Sequence, residues 1–587
     1  MKVWIKMLAP VLAVTAPMAH ARVHDVIFGA GGFETIADIP ASKNAAARFL
    51  TQATFGPTAA DIARLMSVGY SEWIDEQLGM PATVGEPSVE HTATARGTTL
   101  GTGQSTRIDR WLWQAAYAPD QLRQRMAFAL SQIFVVSDQS TAISGDVIPM
   151  TAYQDLLARD AFGIYRDLLT DVTYNPTMSK FLSTFHNQKS NCSGTVPNIV
   201  CTTLPDENYA REVMQLFSIG LIELDIDGTP MGGMLTPTYD QTVITHTAKV
   251  FTGFTYIDAP TTGTPNFFGG GLTTAATYAP MACWGTEIFA LSNGNMRHDI
   301  TGDDNTAGTN KTVLDNNTLL PNQSCATDVG EELDIIDQHP NVAPFISKQL
   351  IQRFVTSNPS PAYVARVAGV FETVGNHGDL GDVIKAILTD PEAVTPPPLV
   401  AGDTYGKLRE PILRLTAMWR AFGAVAAVAD QYGEIPMLAS SSGFQGSFGQ
   451  SPLEAPTVFN FYPPDFEQPG TLADADKVAP EFAILSEATT YSMGNVFNAY
   501  TQNAFLGMTS PKTDRPLINL SSLTVNANNS AALVATLNST MLYGTMSTAM
   551  QSRMTSMVDN LAGASSNEIA WSAIYLTMLS PEYATQR

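Results

Sequence analysis

Three short stretches of the 587-residue chain carry residue types able to do acid–base or ligand chemistry. The first is Arg211-Glu212, inside Glu207–Gly220. There Tyr209, Val213, Leu216, Phe217 and Gly220 recur at i, i+4, i+7, i+8 and i+11, the stripe of a buried helix face. Glu212 falls off that stripe, beside Asn208 and Gln215. In a polar site Glu212 would serve as acid/base or metal ligand and Arg211 as an anion clamp. Structurally, both would form helix-to-helix salt bridges, and Glu207 already stands one turn before Arg211. The second stretch is His298-Asp299, followed by Asp303 and Asp304 in a Gly/Asp/Thr loop, a pattern open to a general base or a metal ligand. The third is His339-Pro340-Asn341 at a helix junction. There the helix dipole accounts for a histidine, and convergence with His298 would make it part of a site.

Other signals carry less chemistry. Asp303-Asp304-Asn305 and Asp225-x-Asp227-Gly228 offer oxygens to calcium, but neither has EF-hand spacing. No G-x-S-x-G, H-E-x-x-H or C-x-x-C-H is present, which leaves lipase, zincin and c-type haem readings without support. Gly29-Ala30-Gly31-Gly32 starts like a dinucleotide fingerprint and fails at Glu34. Arg110, Arg123 and Arg125, then Arg409, Arg414 and Arg420, sit on predicted helices, where they would pair with carboxylates or hold a sulfate- or phosphate-bearing ligand. Ser447–Pro464 concentrates Phe448, Phe459, Phe461, Tyr462 and four prolines, the composition of a packed lid or of a carbohydrate or peptide groove.

The elements that must position these residues read as helices. Thr58 caps a helix with Asp61 in its first turn and Ile62, Leu65 and Met66 inward; Gly69 ends it and Ser71 restarts another. Helices are predicted over 107–118, 120–136 and 207–219. Another is predicted after a capping box at Thr238-Tyr239-Asp240-Gln241. More follow over 342–356 behind Asn341, 361–374 behind Ser360, 407–422 and 481–500. Alternating strand patterns are scarce. Long loops over 187–204, 257–295, 302–328, 396–406 and 440–470 connect them.

The N-terminus has an export signal: Lys2 and Lys6, an apolar run from Met7 to Met18, and Ala19-His20-Ala21. Cleavage after Ala21 takes the net charge from −23 to −25. Four cysteines fit an oxidising compartment. Pairing Cys192 with Cys201 and Cys283 with Cys325 would staple one irregular loop each, and no C-x-x-C pair favours zinc. With 32 Lys+Arg against 55 Asp+Glu and no basic run, nucleic acid is excluded as a partner. No later segment is apolar enough to span a bilayer.

Seven ordered motifs together resemble one bacterial family, domain of unknown function 1800. They are Ala45–Thr58; Glu207-Asn208-Tyr209-Ala210-Arg211-Glu212-Val213-Met214-Gln215-Leu216-Phe217-Ser218-Ile219-Gly220; Asp240–Gly253 with Phe254; His298-Asp299 with Lys311; Asp334 through His339-Pro340 to Phe354-Val355; Gly449-Gln450-Ser451-Pro452 with Ala455–Asn460; and Leu579-Ser580-Pro581-Glu582-Tyr583. The resemblance implies an exported, mainly helical protein without an agreed activity, often encoded beside a sulfatase-like partner family, domain of unknown function 1501. Many members carry Trp-His-x-His-Phe where this chain reads Ala129-Leu130-Ser131-Gln132-Ile133-Phe134, so the histidines of such a metal site are missing here.

The resulting expectation is a mainly α chain: a large multi-helix domain, long disulfide-stapled loops and few short strands. Its parts are a signal peptide at 1–21, an extension at 22–44, and a domain at 45–587 whose 508–587 portion is a looser helical part. Two functions are carried forward. One is a hydrolase-like enzyme acting on an envelope or extracellular polymer through Arg211, Glu212, His298, Asp299 and His339, with a divalent metal as a candidate cofactor. The other is a non-catalytic surface protein partnering a DUF1501-type secreted protein.

Overall fold

Several helix starts in this protein follow their caps. Thr58 Oγ1 accepts from the Asp61 amide while Asp61 Oδ2 accepts from the Thr58 amide, a reciprocal box that satisfies two donors at the start of a helix. The computed structural model describes residues 38–85, 103–195, 198–260, 266–284, 297–304, 306, 308–397, 405–425, 444–508, 515–561 and 563–587. The expected signal peptide, most of the 22–44 extension and Asn305 lie outside them.

From the N-terminal side the helices are α1 (Lys43–Ala53), α2 (Ala59–Val68), α3 (Tyr70–Gly79), α4 (Gln104–Tyr117), α5 (Gln121–Leu130), α6 (Val147–Asp160), α7 (Tyr165–Thr173) and α8 (Pro176–Phe181). Then come α9 (Asn208–Gln215), α10 (Gln241–Val250), α11 (Cys325–Asp337), α12 (Val342–Phe354), α13 (Pro361–Phe371) and α14 (Leu380–Thr389). The last are α15 (Pro411–Ala421), α16 (Glu487–Gln502), α17 (Ser530–Leu537), α18 (Thr548–Asn560) and α19 (Ser566–Leu579). The sheet content is four two-stranded antiparallel ladders: β1 (Asn191–Thr195) with β2 (Asn198–Thr203), β3 (Phe254–Thr255) with β4 (Ala282–Cys283), β5 (Lys311–Thr312) with β6 (Thr318–Leu319), and β7 (Lys407–Leu408) with β8 (Thr585–Gln586).

Several boundaries differ from the sequence reading, for local reasons. The helix expected over 120–136 stops at Leu130, and Ile133, Phe134, Val135 and Val136 continue as a buried non-helical segment. Asp240 alone caps α10, accepting from the Thr242 and Val243 amides. Asn341 stands at the N-cap of α12 but spends its side chain on Ile219 O, Ile222 O and the Leu224 amide. Lys407–Leu408 is a strand, so α15 begins at Pro411 with proline at N1.

The apolar side chains collect into two large clusters. The first is built on α1 to α3 and α5 to α14, with Phe49, Tyr153, Phe217, Leu350 and Phe371 at 2% exposure or less. The second joins α4, α15 and α16 to α17, α18 and α19 around Trp419, Phe497 and Tyr500. Helix α5 serves both, since Leu122 and Met126 enter the first cluster and Phe128 the second, and all ten of its residues are buried. A Leu122→Ala change there removes buried side-chain volume at about 2–5 kcal/mol. Disulfides Cys192–Cys201 and Cys283–Cys325 tie the β1–β2 hairpin and link β4 to the start of α11. No helix among the described residues is long and apolar enough to cross a membrane.

Candidate functional site

The residues singled out by chemistry take up separate positions. On α9, Arg211 Nη2 donates to Glu207 Oε2 at 2.7 Å and to Gln241 Oε1 at 3.0 Å, a partly exposed surface network. Glu212 is half-buried, and its Oε2 has no hydrogen-bond partner among the described residues. Burial raises its pKa, opposed by the neighbouring Arg211 charge.

His298 is fully buried. Its Nε2 lies 2.8 Å from Asp328 Oδ2, and Lys311 Nζ donates to the same oxygen at 2.6 Å. Its Nδ1 meets Thr252 O at 3.1 Å, and a carbonyl only accepts, so Nδ1 carries a hydrogen. Glu332, one turn after Asp328, accepts from Thr247 Oγ1 at 2.8 Å. Burial pushes its carboxyl up to about 7 against that hydrogen bond. His298, Lys311, Asp328 and Glu332 all have no solvent exposure. Asp299 turns instead to the loop, accepting from the Ser190 and Thr301 amides at 3.0 and 3.2 Å.

His339 follows the other end of α11. Its Nδ1 accepts from the Asn341 amide at 3.1 Å, and its Nε2 stands 3.8 Å from Asp315 Oδ2. Burial lowers its pKa, with Asp315 and Glu223 opposing. From Asp328 to Asp337 the helix rises about 14 Å at 1.5 Å per residue, and this sets the two histidines apart. Among the described residues, one grouping has metal-ligand proximity, Cys192, Cys201 and Asp304, and its two sulfurs form a disulfide.

A different set of residues surrounds open space. A cavity of about 1090 Å³ runs along α12, which contributes Phe345, Lys348, Gln349, Gln352 and Arg353 at i, i+3, i+4, i+7 and i+8. The opposite wall is the segment Val458–Asp465, including Phe459, Asn460 and Tyr462. Leu216, Gly220, Leu221 and Ile222, at and beyond the end of α9, add apolar lining. Asn460 has a left-handed backbone (φ 66°), a conformation that asparagine tolerates better than most residues.

Beneath this cavity lies a buried charge cluster. Arg125, Arg353 and Lys407 are 2%, 1% and 4% exposed, and Glu410 and Glu481 are 0% and 1% exposed. Lys407 Nζ is 2.8 Å from Glu481 Oε1 and donates to the Gln352 and Arg353 carbonyls at 2.8 and 2.9 Å. Arg125 Nη2 donates to Arg353 O at 2.7 Å. The last carbonyls of α12 thus meet cations, as the helix dipole favours. Glu410 Oε1 accepts from the Tyr462 hydroxyl and from Gln132 Nε2 at 3.2 Å. Burial pushes the Glu410 pKa up, and Lys407 and Arg125 more than offset it, leaving it below the usual carboxylate value. The Arg353 guanidinium stacks over the Tyr462 ring at 4.9 Å. Its Nε and Nη1 find no acceptor among the described residues, and neither do Gln349 Nε2 or Asn460 Nδ2 find one.

Sequence reasoning passed over this site. Residues 342–356 entered it only as a predicted helix and as part of a motif, although Lys348, Gln349, Gln352 and Arg353 on an otherwise apolar helix were a visible polar face. Ser447–Pro464 divides between core packing and cavity lining. Phe448 packs on Phe444 and Phe497, whereas Phe459 and Tyr462 line the cavity.

The family model described as "Protein of unknown function (DUF1800)" matches residues 48–585. No curated protein and no solved structure matches.

Proposed function

The chain belongs to the DUF1800 family of proteins of unknown function, and from that premise we propose that it is an exported binding protein whose α12 cavity holds a segment of an envelope or extracellular polymer. One observation carries this reading: a cavity of about 1090 Å³ whose walls hold polar groups that the protein leaves uncommitted. That volume slightly exceeds the upper range of small-ligand pockets. Amides of Gln349 and Asn460 beside Phe345, Phe459 and Tyr462 offer hydrogen bonds and flat apolar faces together, the combination that a hydroxylated chain uses. Export is supported by Lys2, Lys6 and Ala19-His20-Ala21 and by two disulfides. A DUF1501-type secreted protein is the partner this reading expects to act on the same polymer.

Affinity retention tests it. Residues 22–587 are immobilised and challenged with polymers extracted from the cell envelope and culture medium. Retention that falls with Phe459→Ala and Gln349→Ala supports the reading; absence of retained polymer overturns it. The hydrolase-like alternative has one observation in its favour, the half-buried Glu212 carboxyl with its unpartnered Oε2 and raised pKa. Release of new chain ends from a retained polymer, lost in a folded Glu212→Gln variant, would move the assignment to that enzyme.

A further inference from the structure

The buried cluster under the cavity does not balance its charges. Arg125, Arg353 and Lys407 face Glu410 and Glu481, three cations against two carboxylates. Lys407 has Glu481 at 2.8 Å, and Glu410 holds Tyr462 and Gln132. Arg353 is 1% exposed, lines the cavity, and has Nε and Nη1 without an acceptor among the described residues. Leaving guanidinium donors buried and unmatched costs free energy that an anionic partner would recover. Lys348, exposed to the same cavity, adds a second positive charge, partly answered by Asp465 and Asp227. Glu392, also on the cavity wall, is already paired with Arg366 at 3.1 Å.

We propose that Arg353, with Gln349, Asn460 and Lys348, forms an oxyanion subsite at the cavity floor that takes a carboxylate or sulfate group carried by the ligand. The inference rests on the binding function proposed above and names the chemistry of what is bound. The chain's net charge of −23 does not forbid it, since at physiological salt surface charges act over about 8 Å. Leu216, Leu221 and Ile222 line the same cavity and would cover the uncharged body of the ligand.

The test uses residues 22–587 in calorimetry and thermal unfolding at pH 7, with sodium sulfate, sodium glucuronate and glucose, each against sodium chloride at equal ionic strength. Sulfate or glucuronate should bind saturably and glucose should not compete. Glucuronate binding tighter than sulfate assigns the subsite to a sugar-borne carboxylate; the reverse assigns it to a tetrahedral anion. Arg353→Met should weaken binding by about tenfold to a hundredfold, the loss of a charge-assisted hydrogen bond. Lys348→Ala, at an exposed position, should weaken it by about threefold. Wild-type curves in sulfate and glucuronate that superimpose on chloride would overturn the subsite, even if polymer is retained. Affinity unchanged in folded Arg353→Met would do the same. Saturable sulfate binding that needs Arg353, without polymer retention, would keep the subsite and overturn the polymer reading.

Discussion

The His298 cluster and the Arg353 cluster are both buried, and both mix cations with carboxylates, yet they differ in what is left over. Around His298 the donors are spent: Lys311 and His298 both reach Asp328, and the atoms without partners are carboxylate oxygens of Asp328 and Glu332. Around Arg353 the atoms without partners include donors, on residues that line the cavity. The comparison teaches that a site is marked less by reactive residue types than by hydrogen-bonding capacity the fold does not use. A histidine beside an aspartate catches the eye in sequence, but here its ring ties Asp328 of α11 to Thr252, while Lys311 ties β5 to the same carboxylate.

The largest expected effect probes the closed cluster. Asp328→Ala leaves Lys311 buried without its carboxylate and should cost about 3–5 kcal/mol in chemical denaturation, with sulfate affinity unchanged in whatever protein folds. A loss below about 1 kcal/mol would mean that this cluster is not structural. The next effect is in pH dependence. Burial holds Glu332 at about 7, above its ordinary value of 4.5, so the folded protein binds more protons than the unfolded chain between those values. Stability therefore falls as pH rises from about 4.5 through about 7, by on the order of 3 kcal/mol. Glu454 and Asp160, also pushed up to about 7 by burial, act in the same direction. The difference between wild type and Glu332→Gln in urea titrations from pH 5 to pH 8 isolates the Glu332 share, and parallel profiles would refute it.

A smaller stability effect should come from the open cluster. Arg353→Met removes a buried cation with unmatched donors and keeps a similar volume, so its stability should stay within about 1 kcal/mol of wild type. A destabilisation near that of Asp328→Ala would erase the contrast between the two regions. The smallest effect belongs to Arg211→Ala, whose partly exposed pair with Glu207 is worth about 0.3–0.5 kcal/mol.

Much of the helical framework was legible, because caps and stops are local. Thr58 with Asp61, Gly69, and Ser360 before Pro361 mark helix ends where the structure has them. Both disulfide pairings were legible from their loops. Lys407–Leu408 was not, since a two-residue strand is defined by a partner 177 to 179 residues away in sequence. The Arg353 site was hidden for a related reason. Its donors lie on one helix face, but that they stay unmatched depends on Tyr462, Glu410 and Gln132, contributed by three other segments. Periodicity reports which face a residue occupies and not whether a distant chain segment answers its hydrogen bonds.

The β7–β8 ladder has a consequence for the order in which the molecule can be made. Lys407, which stands against the carbonyls at the end of α12, belongs to a strand completed only by Thr585–Gln586. Gln586 Nε2 also donates to Phe354 O and Val355 O at 2.7 and 3.1 Å, just beyond the same helix end. During vectorial synthesis and export, α12 and the cavity wall at 458–465 emerge well before the residues that close the floor beneath them. A chain stopped at Ser580 would carry every residue that lines the cavity and still lack the strand that latches Lys407 in place.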